Sequence, residues 1–151
     1  MTSRPPRTSA SPAALWQRLA AMLYDVLPLL ALWMSVSALF YWARRAQPVD
    51  PGSVSAWLEF AALWLVTGAY AVLSWRFGGQ TIGMRAWRLR VVDLNGQRAA
   101  LPVLWLRFLT AHFSWALFGI GWLWPLWEPQ ARTWHDLASR TQLVKLPKPP
   151  V

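Results

Sequence analysis

The sequence predicts an all-α integral membrane bundle of three apolar segments, the third broken or re-entrant, with a small cytoplasmic β-hairpin. Three observations predict it. The chain of 151 residues is 56% apolar and holds 13 Trp, which places it in the membrane class and leaves room for one domain. Its apolar runs at 19–43, 57–75 and 103–127 have the length needed to cross a hydrocarbon core. Its net charge of +9 comes from basic residues that flank those runs, the pattern that orients a membrane protein against anionic headgroups, so nucleic acid is not an expected partner. With no cysteine, the chain has no disulfide framework, thiol nucleophile or Cys-ligated zinc.

Residues 1–14 are rich in Pro, Ser and Arg, lack apolar periodicity, and are expected as a disordered tail, with a second short tail at 147–151. The membrane domain is then 15–146. The 19–43 run makes about 37 Å of helix. Arg18 and Asp25 fall on one face of it, two turns apart and too distant for a direct pair. Ionisable residues in such segments are functional or paired across the bundle. Pro28 withdraws the N–H that would bond the Tyr24 carbonyl, so a helix break is expected beside the Asp25 carboxylate. Arg4 and Arg7 before an apolar run would also suit a signal peptide, but the run is too long for one and contains Asp25, so a retained span is expected. Arg44, Arg45 and the proline-rich 48–52 cluster form a loop to the second span. There Glu59 reads as a solvated helix-end charge and Gly68 as a point of close helix approach.

Arg76, Arg85, Arg88, Arg90, Arg98 and Arg107 make 76–107 the polar centre and mark the cytoplasmic side. Residues 87–94 alternate at period two and run into Asn95-Gly96, so 87–100 is expected as a hairpin with 97–100 as its second strand. Arg88 and Arg90 then share one strand face, and with Arg85 they are candidate lipid-facing basic residues. Gly78, Gly79 and Gly83 lack the Lys-Ser/Thr of a phosphate loop, which removes that reading. The third run opens at Pro102 and is interrupted by Gly119, Gly121 and Pro125. If it turns back at the glycines, only Arg44 and Arg45 among the basic residues stay on the far side, the split that the positive-inside rule prefers. A re-entrant third segment is therefore expected, and the alternating 141–146 can then add to the hairpin as a strand.

Counted by helical rise, Asp25 lies about 9 Å into the first segment, and Arg107 and His112 about 6 and 13 Å into the third, so the three can meet at one depth. Two uses fit such a meeting. One is a proton or cation relay through Asp25 and His112 beside the fixed charge of Arg107. The other is an Asp25–Arg107 pair that glues two helices, with His112 bonded to a backbone carbonyl. No His or carboxylate spacing suits a metal, and no Ser or Thr has a visible base partner. The chain is expected to be no enzyme and to need no cofactor.

Three motifs together resemble the RDD family of small, mostly bacterial membrane proteins, named for one arginine and two aspartates. Arg18-x-x-Ala21-x-x-x-Asp25 is the first. Gly79, Thr81, Gly83, Leu89, Arg90, Val91, Val92, Asp93 and Gly96 match the second, a GKTxGK segment leading into LRVVDxxG, with Gln80 and Met84 in place of the family's lysines. Residues 132–138 resemble the closing QTWHDxxAGT motif, which makes Asp136 the candidate second aspartate and Asp93 the runner-up. Ser139-Arg140 stand where the family has Ala-Gly, which puts its tight turn in question. The distribution of basic residues puts the N-terminus in the cytoplasm, and the resemblance implies a multi-pass protein of the cell inner membrane involved in transport of an undefined ligand such as a cation coupled to protons. The alternative is a non-transporting assembly or regulatory module with a basic cytoplasmic docking surface. Three short segments enclose little volume, so a homo-oligomer or a partner membrane protein is expected besides the lipid bilayer.

Overall fold

A computed structural model describes residues 11–147; the rest of the two expected tails lies outside the described residues. In chain order the elements are β1 (Ser11–Pro12), α1 (Leu15–Ala43), α2 (Val54–Leu73), α3 (Ile82–Ala86), β2 (Leu89–Asp93), α4 (Leu101–Ala116), α5 (Ile120–Leu123), α6 (Trp134–Ala138) and β3 (Thr141–Lys145). A π-helical turn, Ser74–Gly78, extends α2, and a 3₁₀ turn, Trp124–Leu126, follows α5. Leu15–Ala43 and Val54–Gly78 are each long and apolar enough to cross a membrane. The third apolar segment is a bent pair, α4 and then α5 with its 3₁₀ turn, with 110° between the two parts.

Helix starts follow local chemistry. Gln17 accepts the Ala14 N–H at 3.2 Å at the head of α1, Ser53 Oγ accepts the Ala56 N–H at 3.1 Å, and Thr81 Oγ1 accepts the Met84 N–H at 3.2 Å. α1 runs unbroken through Pro28, contrary to the expected break. Proline costs one rung there, and the remaining ladder of a long apolar helix carries it. Along α1 the usual pattern is inverted: Leu23, Leu27 and Met34 are about 70% exposed or more, whereas Arg18 and Asp25 are buried. Apolar outside and ionisable inside is the arrangement that a lipid solvent selects. Gly68 brings α2 against α4, since a Cβ there would stand 2.7 Å from the Trp105 ring. Glu59 is not simply solvated, because Arg44 of the α1–α2 loop donates to it at 2.8 Å.

The sheet corrects the hairpin. Its order is β1-β3-β2, all antiparallel, with Leu89 opposite Lys145, Asp93 opposite Thr141, and Ser11 also opposite Lys145. The C-terminal strand therefore pairs with β2 as expected, but 97–100 is not a strand. Asp93 Oδ1 accepts the N–H groups of Asn95 and Gln97 at 2.9 and 2.7 Å, closing a turn that sends the chain directly into α4. The third strand comes instead from Ser11–Pro12, in the stretch expected as tail. Arg88 has φ +55° in the turn before β2, so it does not share a strand face with Arg90. At the other questioned turn Arg140 adopts φ +50° in place of the family's glycine, and the chain still turns into β3.

Helices and sheet share one core, in which Leu89, Val91 and Leu143 meet Ala21, Val72, Leu104 and Phe108. The break in the third segment falls at Phe118 and Gly119, with φ +55° and +73°. Gly121 then lets α5 lie on α4, for a Cβ there would overlap Ser114 Oγ and crowd the Trp134 ring. β2 precedes this segment and β3 follows it in one sheet, so after the segment the chain comes back to the sheet by way of α6.

Candidate functional site

Two buried polar clusters flank one cavity. The first is built on Asp136, which is fully buried in the first turn of α6. Thr133 and Asp136 form a reciprocal cap: Asp136 Oδ2 accepts the Thr133 N–H at 3.0 Å and Thr133 Oγ1 accepts the Asp136 N–H at 3.4 Å. This fixes the carboxylate between two arginines. Arg18 Nη1 donates to Oδ2 at 2.7 Å and Arg107 Nη1 to Oδ1 at 2.5 Å. Arg18 also donates to the carbonyls of Ala13 and Ala131, and Arg107 to Thr141 Oγ1, so the cluster binds α1, α4, α6 and the first residue of β3 together. Arg107 additionally lies over the Trp75 ring, 5.4 Å from its centre.

The second cluster is built on Asp25. Its Oδ1 accepts from Tyr70 Oη at 2.7 Å and from the Gly83 N–H at 2.8 Å, and its Oδ2 accepts from Thr81 Oγ1 at 2.5 Å. Tyr70 comes from α2, and Thr81 and Gly83 from the start of α3, so Asp25 is a clamp joining the two long helices to the segment that leads into the sheet. The expected meeting of Asp25 with Arg107 and His112 is thus corrected. Arg107 finds Asp136, which the fold returns to its level, and His112 Nδ1 lies 2.9 Å from the Phe108 carbonyl oxygen. All three residues nevertheless line the same cavity. Of the three family-signature residues, Arg18 and Asp136 meet and Asp25 stands in the other cluster. Of the three candidate lipid-facing basics, Arg85 and Arg90 are exposed and Arg88 is half-buried. The sequence reading missed Tyr70, Thr81 and Thr133 as partners; Thr133-x-x-Asp136 carries the spacing of a capping box and could have revealed the last.

The cavity measures about 310 Å³ and lies among α1, α2, α4 and α6, with walls that include Val26, Ala71, Phe108 and Trp122. His135 is buried beside it, its ring 4.6 Å from that of Trp122. Burial, and then the neighbouring Arg107 charge, push the His135 pKa from 6.5 down to about 3, so the imidazole is neutral at working pH. For Asp136 burial pushes upward, but Arg107 and Arg18 more than offset it and hold the carboxyl well below the usual range.

Both shifts make acid destabilising. Between pH 6.5 and about 3 the unfolded His135 binds a proton that the folded residue refuses, so its contribution is complete above 6.5 and is lost as pH falls, by up to about 1.4 kcal/mol per pH unit. Asp136 adds a loss in the same direction below about pH 4. Thermal midpoints in detergent should drop steadily from pH 7 to 4.5, and His135→Gln should flatten that slope. A slope equal in both proteins would remove His135 from the account.

No curated protein and no solved structure matches the chain. The sequence model of the RDD family matches residues 12–140, a stretch that runs from the strand before Arg18 to the turn after Asp136 and covers most of the chain. It contains both carboxylates and both arginines of the two clusters and ends just before Thr141 and β3, and on that match this chain belongs to the RDD family.

Proposed function

We propose that this protein is a membrane-embedded assembly or regulatory module, anchored by its long apolar helices, whose α3 and strand β2 present the basic residues Arg85 and Arg90 to a partner or to anionic headgroups on the cytoplasmic side of a cell inner membrane. The observation that carries this reading is the engagement of Asp25. Both carboxylate oxygens accept hydrogen bonds from α2 and α3 residues, so the group is occupied as a clamp and not held open for a passing cation. The cytoplasmic assignment rests on charge: with all three strands at one end of the bundle, Arg44 and Arg45 alone among the basic residues of the described chain lie at the opposite end of α1. An exposed apolar exterior gives a second copy or another membrane protein ample surface to pack on.

Proton-coupled cation transport is the second reading, and what favours it is that Asp25 and His112 both line the cavity. Ion flux across a pH gradient in proteoliposomes separates the two. The module reading expects no saturable flux above that of empty vesicles, and a flux abolished by Asp25→Asn would establish the transport reading instead. For orientation, a reporter active only in the cytoplasm and fused after Val151 should be active. Activity of a periplasm-dependent reporter alone would reverse the assignment.

A further inference from the structure

The cavity has one end whose polar groups are left without partners. His135, 3% exposed, has no hydrogen bond to Nδ1 among the described residues, and the buried Trp75 Nε1 has none either. Both residues line the cavity together with Arg107. Arg107 turns Nη1 to Asp136 and Thr141, and its guanidinium lies over the Trp75 ring. Buried polar atoms in native proteins are almost always satisfied, so an orphaned group on a cavity wall points to an occupant. The charges say which kind. Arg18 and Arg107 face a single carboxylate in Asp136, so this end carries one uncompensated positive charge, while the balancing Asp25 sits in the other cluster, bonded to Tyr70, Thr81 and Gly83.

Away from that end the walls are mostly apolar, with Val26, Leu29, Ala71 and Phe108 among them, and the polar residues there are already engaged: Asp25 is bonded to Tyr70 and Thr81, and His112 Nδ1 lies against the Phe108 carbonyl. Water would fill 310 Å³ with about ten molecules, most of them against hydrocarbon, where apolar cavities remain dry. Val26, which is 43% exposed, also lines the cavity, so the space is continuous with the lipid-facing exterior of α1. We infer that the cavity is a binding site for a single-chain amphiphile with an anionic headgroup, whose acceptor oxygens meet Arg107, Trp75 Nε1 and His135 Nδ1 and whose chain lies among the apolar walls. Two sources supply this chemistry, a medium-chain fatty carboxylate and a single-chain alkyl phosphate. The volume, at the small end for ligand cavities, excludes a two-chain phospholipid.

The test uses the full chain in phosphatidylcholine nanodiscs, with binding of dodecanoate, dodecyl phosphate, dodecanol and dodecyltrimethylammonium read against empty discs. Dodecanoate or dodecyl phosphate should bind saturably at one per chain, and the tighter of the two identifies the source. Dodecanol and the ammonium compound should bind at least about ten-fold more weakly, because they lack the charge or carry the wrong one. Trp75→Phe keeps an aromatic face under Arg107 and removes the N–H, and should weaken anion binding several-fold in a protein that still folds. Val26→Trp fills the cavity from its lipid-facing side and should abolish binding in a folded protein, a control independent of the Arg107 cluster. Binding that fails to saturate, that is equal for all four amphiphiles, or that survives Val26→Trp unchanged overturns the site.

Discussion

Asp136→Asn should lower yield and thermal midpoint sharply, with a loss of stability of about 3 to 5 kcal/mol. Asparagine keeps the shape of the side chain and can still cap α6, so the effect isolates charge. What remains is a pair of guanidinium groups, each 3% exposed, facing a neutral amide. Their attraction to Asp136 is lost and their mutual repulsion is uncovered, in a place from which neither can reach water. The diagnostic is the double variant. Arg107→Leu alone orphans Asp136 less severely, because Arg18 still holds it, but adding Arg107→Leu to Asp136→Asn removes one of the stranded charges and should recover a measurable part of the loss. Strict additivity of the two changes, read from thermal unfolding in detergent, would mean that the cluster contributes no coupling. The same cycle built on Asp25 and Arg107 should show little coupling, because no ion pair joins them.

Gly83→Ala should be nearly as damaging, at about 3 kcal/mol. A Cβ at this position would overlap the Ala21 carbonyl oxygen and stand 2.9 Å from the Asp25 side-chain carboxyl carbon. The obstacle is backbone of a long helix, which cannot yield as a flexible side chain would, so α3 must move away from α1. That movement breaks the Gly83 N–H bond to Asp25, a hydrogen bond to an ionised group worth about 1.5–3 kcal/mol, on top of an overpacking cost of about 1–3 kcal/mol. Amide exchange should show the Gly83 N–H protected in the parent and exchanging fast in the variant. A variant with unchanged midpoint and protected exchange would mean that α1 and α3 are less tightly apposed.

The long helices and the third break were legible because they depend on local composition. A long run of apolar residues with a single charge defines 19–43 whatever surrounds it, and Gly119 and Gly121 on either side of Ile120 mark a weak point in any helix. Strand β2 was legible for the same reason, as Leu89 and Val91 alternate with Arg90. What alternation does not encode is the partner. Asn95-Gly96 invited a local return strand, but the Asp93 carboxylate satisfied the turn by itself, and the sheet took its other strands from the two ends of the chain. The ion pairs were hidden in the same way. Counting rise along each helix put Asp25 and Arg107 at one depth, yet depth is one coordinate of three, and Asp136 arrives from a segment that carries no membrane signal at all.

That arrival has a consequence for how the chain is made. Arg18 and Asp136 are 118 positions apart, and at ordinary rates of synthesis roughly 6 to 24 s separate the emergence of one from the other. Throughout that interval the guanidinium at the head of the first apolar helix has no counter-ion of its own and must stay in water or among lipid phosphates. Final seating of α1 is therefore a late event, released by the last part of the described chain and sealed when Thr141–Lys145 slots between the other two strands. A chain interrupted before Asp136 would keep two cationic side chains unseated, a lasting mark of incompleteness that membrane quality control could read without reference to any activity.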